Sequence, residues 1–241
     1  MGYIAVFDDA IIRFIAQFAG RSAAFDQMVH DVADANLLKG GLFMAYFWCL
    51  WLRSDGDVAG RRQRVLVAIA GALLAVVLSR LAQLVLPFHV RPLHAGDPNF
   101  VLPIGVNPAT LSRWNSFPSD HATLFWALSL AVWYESRRLG LVAMAWTLVV
   151  ICLPRIYLGF HYPSDVIGGI VLGAVIMTTT RRSLRRLPLL AWVIRWESRH
   201  RAAFYLIAFL TTYEISILFY DLRQLAVDSI RLVDAMIVMR A

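Results

Sequence analysis

Residues 65–86 read Val-Leu-Val-Ala-Ile-Ala-Gly-Ala-Leu-Leu-Ala-Val-Val-Leu-Ser-Arg-Leu-Ala-Gln-Leu-Val-Leu, with Arg64 before the run and Pro87 after it. One charge, Arg80, interrupts it. The run matches the ~20 apolar residues an α-helix needs to cross hydrocarbon. Composition agrees: 59% of the 241 residues are hydrophobic and mean hydropathy is +0.62, where a soluble domain is about half apolar. An arginine inside a span carries an insertion penalty of about 2.5–3.5 kcal/mol, so Arg80 should have a partner or a purpose. Glu214, the one acid in the last apolar run, is a candidate partner.

Outward from this stretch, five further apolar runs occupy 36–52, 120–135, 139–157, 163–180 and 202–220. The chain is expected to be all-α and integral to a membrane: a six-span helical bundle with amphipathic N- and C-terminal helices. Runs 36–52 and 120–135 fall short of the usual length and need tilt or flanking aromatics. In residues 1–35, Ile11, Ile12, Phe14, Ile15 and Phe18 recur at helical spacing with Asp8, Asp9, Arg13 and Gln17 between them. This segment is expected to lie on the bilayer surface or to pack against the bundle. Residues 221–241 show a similar pattern, with Leu222, Leu225 and Ile230 on one side. No internal repeat of the kind that builds many transporters is visible.

The net charge is +7, nearly all of it arginine at segment ends. That placement reads as topology rather than nucleic-acid binding. Loop 53–64, turn 136–138 and loop 181–201 hold the arginine clusters, and all three fall on one side if the six spans alternate. By the positive-inside rule that side is the cytoplasm. Segments 87–119 and 158–162 then face outward. Cys49 and Cys152 lie within apolar runs, where a thiol behaves as a small hydrophobe, so neither a disulfide nor a cysteine metal site is expected.

The chemistry-bearing residues gather in or beside the outward segments. Arg91-Pro92 follows the second run. Pro118-Ser119-Asp120-His121 opens the third. Arg155, His161 and Asp165 stand in the order Arg-x5-His-x3-Asp. Pro163 suits a helix start, which would set Asp165 one turn beyond His161 to accept the Nδ1 proton and leave Nε2 as nucleophile or base. Taken alone, His-x-x-x-Asp reads first as a capped loop with an ion pair.

The ordered set Arg-Pro, Pro-Ser-x-His and Arg-x5-His-x3-Asp resembles the type 2 phosphatidic acid phosphatase superfamily, whose site vanadium haloperoxidases share. The resemblance covers roughly residues 36–180. Three positions depart from the family pattern: Leu84 replaces a lysine, Asp120 a glycine and Pro154 a serine. The resemblance makes 36–180 a five-span phosphatase core; residues 1–35 read as an interfacial segment and 181–241 as a cytoplasmic basic loop, sixth span and amphipathic tail, additions that the resemblance does not explain.

The resemblance also implies roles. His161 attacks phosphorus and forms a phosphohistidine, Asp165 holds its tautomer, and His121 protonates the leaving group and later activates water. Arg91, Arg155 and Ser119 bind the phosphate oxygens. Arg80, one turn below Leu84, is the candidate replacement for the absent lysine, ahead of Lys39. No cofactor and no metal are expected, since the arginines attract an anion. The expected partners are a lipid phosphate substrate and the bilayer itself, with undecaprenyl diphosphate the first choice. Phosphatidic acid, phosphatidylglycerol phosphate and lipid A follow. The expected location is the cell inner membrane with the site toward the periplasm. A catalytically inactive scaffold is the reading from another class.

Overall fold

A computed structural model describes residues 2–97, 100–111, 114–184 and 188–225. These residues are all-helical, without strands. In chain order the helices are α1 (Tyr3–Ala16), α2 (Ala23–Asp34), α3 (Leu37–Leu52), α4 (Val58–Val85), α5 (Asp120–Glu135), α6 (Arg137–Tyr157), α7 (Pro163–Leu184), α8 (Pro188–Arg199) and α9 (Arg201–Ser216). Of the described helices, α4, α6 and α7 are long and apolar enough to cross a membrane. Helices α5 and α9 have 16 residues each, about 24 Å of rise against a hydrocarbon core of about 30 Å. Helix α3 is similarly short and apolar. All six coincide with the runs expected to span.

Helix α5 is the centre of the bundle, packed by α4, α6 and α7. Leu124, Phe125, Ala127 and Leu128 are all buried, which is why its sequence is apolar on every face. Its hydroxyls are satisfied internally, Ser129 Oγ donating to the Phe125 carbonyl at 2.8 Å. Helix α7 approaches through Gly169 and Gly173, where a Cβ would collide with the backbone of α5. That close contact is what the small-residue spacing predicts. Leu81, Leu84 and Val85 on α4, and Val171 and Val175 on α7, face outward.

Local signals set the helix starts. Asp57 accepts from the Gly60 amide at 2.9 Å to cap α4. Ser119 and Ser136 cap α5 and α6, and prolines open α7 and α8. The arginine-rich connections meet at one end, where Arg62 pairs with Glu197 at 3.1 Å and Arg64 with Glu135 at 2.5 Å. The phosphatase-like motifs lie at the other end.

One element departs from the sequence expectation, and the two terminal segments are placed as follows. Segment 181–201, read as a loop, contains α8. Its Leu190, Val193 and Trp196 recur at helical spacing against α4 and α9, a signal masked by the flanking arginines. Helices α1 and α2 dock on the bundle at the motif end. Asp8 accepts from Ser164 N and Oγ at 2.9 and 2.6 Å. Asp26, fully buried, accepts from Tyr157 Oη, from Gly20 N at 3.0 Å and from Ile104 N at 2.7 Å. Of the tail, residues 220–225 are helical, and the amphipathic stretch read over 226–241 lies outside the described residues.

Candidate active site

A cleft of about 830 Å³ opens at the motif end. Arg80, Arg91, His121, Arg155 and His161 all line it, together with Asp120 and Lys39. Residues from α3, α4, α5, α6 and the segments 87–119 and 158–162 thus meet in one hollow.

His161 follows the end of α6, where Gly159 takes a left-handed φ of 71° and a Cβ would strike Phe100; glycine alone turns the chain there without strain. The ring is buried. Its Nδ1–H donates to the Ser116 carbonyl at 2.9 Å, while Nε2 faces Arg91 Nη1 at 3.5 Å. The expected direct bond to Asp165 is replaced: Asp165 Oδ2 is 3.7 Å from Nδ1. Asp165 instead accepts from Ser116 Oγ at 2.5 Å and Tyr162 N at 2.8 Å, with His89 Nδ1 at 3.0 Å from its other oxygen. It holds the loop that holds the histidine. The tautomer is the expected one, with Nε2 unprotonated, but a carbonyl fixes it. Burial, with help from Arg91 and opposed by Asp165, holds the His161 imidazole below its ordinary pKa, so the ring is neutral at neutral pH.

Arg91 is buried and its donors are almost fully engaged. Nε donates to Trp114 O at 3.2 Å, Nη2 to Asn115 O at 3.0 Å and Nη1 to Phe160 O. Burial lowers its pKa to about 10, and it stays charged. Asn115 is the brace behind it: Nδ2 donates to Gln83 O at 3.0 Å, capping the end of α4, and Oδ1 accepts from His89 N at 3.0 Å. Arg155 donates Nη2 to Ala33 O at 3.1 Å and lies over the Phe160 ring. Among the described residues its buried Nε has no hydrogen-bond partner.

His121 is held differently from His161. Its Nδ1 lies 2.8 Å from Asp120 Oδ1, which leaves Nε2 for the cleft. The other Asp120 oxygen takes Arg80 Nη2 at 2.5 Å. Arg80 also reaches Gln83 Oε1 at 3.4 Å and lies over Trp114. It therefore lines the cleft as expected, with its charge balanced by Asp120. It does not pair with Glu214, whose buried Oε2 is without a hydrogen bond. Leu84, in the place of the family lysine, is 76% exposed and turned away from the site.

Ser119 is not among the cleft-lining residues. Its Oγ accepts from Ala122 N at 3.4 Å, and its amide donates to Asp165 O at 3.1 Å, tying α5 to α7. Asp120, Ser116, His89 and Asn115 were not singled out as site residues. Asp120 alone carried a signal, as a departure from the motif. Beyond the expected residues, Ile217, Tyr220, Arg223 and Gln224 from the end of α9 complete one wall. Among the described residues no group of three or more His, Cys, Asp or Glu side chains is placed to hold a metal ion.

The cleft lies at one end of an all-helical bundle, and the PAP2 superfamily profile matches residues 87–188, which hold Arg91, His121, Arg155, His161 and Asp165. The chain is 32% identical over 176 residues to lipid A 1-diphosphate synthase of Escherichia coli (strain K12), covering 70% of this chain and 72% of that one. The chain belongs to the PAP2 superfamily and is a phosphoric ester hydrolase of that class. It is 26% identical over 170 residues to undecaprenyl-diphosphatase BcrC of Bacillus subtilis (strain 168), covering 69% of this chain and 78% of that one. A transmembrane PAP2-type phosphatidylglycerolphosphate phosphatase from Bacillus subtilis, solved by crystallography, superposes with a TM-score of 0.45 at 18% identity, over 75% of this chain and 86% of that one.

Proposed function

We propose that this protein removes the terminal phosphate of a lipid diphosphate, undecaprenyl diphosphate first, through a phosphohistidine on His161. The observation that carries the reading is the convergence of His121, His161, Arg91 and Arg155 on one cleft, with Nδ1 of each ring anchored and Nε2 left for the cleft.

Phosphoryl transfer asks the protein for position and charge more than for covalent chemistry. The His161 Nε2 lone pair attacks phosphorus, and its Nδ1–H stays on the Ser116 carbonyl. Arg91 and Arg155 hold the equatorial oxygens. His121 gives a proton to the departing oxygen, then takes one from the water that cleaves the N–P bond. Asp165 positions the Ser116–Tyr162 frame, and Ser119 joins the two helices on which the histidines stand. Arg80 acts through Asp120. No metal takes part.

The arginine clusters at the far end support a cytoplasmic side there, hence an inner-membrane enzyme with its site toward the periplasm. The likeness to lipid A 1-diphosphate synthase favours a second reading, in which a lipid phosphate instead of water accepts the phosphoryl group. The deciding experiment uses purified protein, lipid mono- and diphosphates, and phosphate release with and without chelator for wild type and His161→Ala. Equal rates for the two proteins remove the nucleophile assignment, and loss of activity with chelator removes the metal-free mechanism.

A further inference from the structure

Lys39 is the sole lysine of the chain; it stood second to Arg80 as a replacement for the absent family lysine, and the mechanism above does not use it. It lies in the π-helical turn Leu37–Gly41 that opens α3. The residue is 6% exposed, and it lines the cleft. Among the described residues its ammonium makes no hydrogen bond or ion pair, and the carboxylates of Asp34 and Asp120 act on it only from beyond ion-pair distance. A buried cation without a hydrogen bond is unfavourable unless an anion arrives. π-Turns are rare and frequent at functional sites. A second one, Thr147–Cys152, packs against the first. Trp146 Nε1, just before it, donates to the Leu38 carbonyl at 2.8 Å. The paired turns place Lys39 near Arg155, whose charge acts on it.

The cations divide between the two histidines. Arg91 Nη1 lies 3.5 Å from the nucleophilic Nε2 of His161. The turn that carries Lys39 packs instead on Thr147–Cys152, which packs on α5, the helix of His121. Arg91 thus attends the nucleophile, and Lys39 stands toward the acid, on the leaving-group side. A hollow of about 830 Å³ is in the range of pockets that hold whole ligands, roughly 300–1,000 Å³, and one phosphate does not fill it.

We propose that Lys39 binds the second phosphate of a diphosphate substrate, the phosphate that departs with the lipid. The inference rests on the phosphatase reading above. In the first step the His161 Nε2–P bond forms and the bridging P–O bond breaks, its electron pair going to the bridging oxygen, which takes the proton held by His121. The lipid monophosphate leaves against the Lys39 ammonium. Water then attacks the phosphohistidine and yields its proton to His121. The N–P bond electrons return to Nε2, and orthophosphate is released.

The test measures kcat/KM of wild type and Lys39→Met on a polyprenyl diphosphate and on the monophosphate of the same chain. The diphosphate-to-monophosphate ratio is expected to fall at least tenfold in the variant. An unchanged ratio, whether both rates fall together or neither does, overturns the proposal. A measurement on wild type alone guards against a variant that does not fold: methylenediphosphonate should inhibit at a concentration at least tenfold below orthophosphate. Equal inhibition overturns the proposal. Wild type that hydrolyses the monophosphate and not the diphosphate also overturns it and leaves the phosphatase reading standing. Hydrolysis of neither removes the phosphatase reading itself.

Discussion

Replacing Arg80 by leucine leaves the Asp120 carboxylate buried and unbalanced beside His121. The two side chains are 22% and 9% exposed and meet at 2.5 Å. Removing one partner of a buried pair is destabilising by about 3–5 kcal/mol, and the partial exposure of Arg80 places this case near 3. For a chain of this size each kcal/mol moves Tm by about 2–4 °C, so Arg80→Leu should lower it by about 6–12 °C. The double variant Arg80→Leu/Asp120→Gly removes both charges and should recover about 2 kcal/mol of that loss. Activity behaves differently. Asp120→Gly frees the His121 ring, and a general acid is worth about 10²–10⁴ in rate, so kcat should fall by at least tenfold in both the single and the double variant. The assays are thermal unfolding of detergent-purified protein and initial rates of phosphate release. Single-variant Tm losses that sum to the double-variant loss within about 0.5 kcal/mol would refute the coupling. A raised KM with unchanged Tm in Arg80→Leu would return Arg80 to direct phosphate binding.

Other perturbations probe the rest of the frame. Burial depresses the His161 pKa below its ordinary 6.5, so between the folded value and 6.5 the unfolded chain binds more protons; the contribution to stability is complete above 6.5, declines as pH falls through that window, and a Tm-versus-pH profile flattened in His161→Asn checks it. Gly173→Leu drives a side chain into the α5 backbone at Thr123, and loss of folded protein by size-exclusion chromatography is the expected result. Asp26→Ala frees Tyr157, the Gly20 amide and the Ile104 amide together. Tm should drop by about 2–4 kcal/mol equivalent, with faster hydrogen exchange in residues 100–106.

The class of fold was legible because membrane spans are written as composition: each run must be apolar whatever its neighbours are. The motif order was legible for the same kind of reason, since helix starts carry local marks such as Ser119, Ser136 and Pro163. Helix α8 was obscured because its arginines outweigh its apolar face in any average. The amphipathic N-terminus left its own location open, and the buried carboxylates Asp8 and Asp26 decided it by docking both helices on the bundle.

Within the site, residue identity fixed which groups were capable of chemistry, and contact between distant segments fixed what each one does. The sequence by itself determined that His161 and Asp165 are one turn apart. Only the packing of segment 87–119 against α7 decided that a carbonyl of Ser116, rather than that carboxylate, takes the Nδ1 proton. Position along α4 pointed to Arg80 as the stand-in cation. Asp120, on another helix, balances it, while Lys39 makes no ion pair among the described residues. Pairing depends on distances that close across the bundle, and linear spacing carries no record of them.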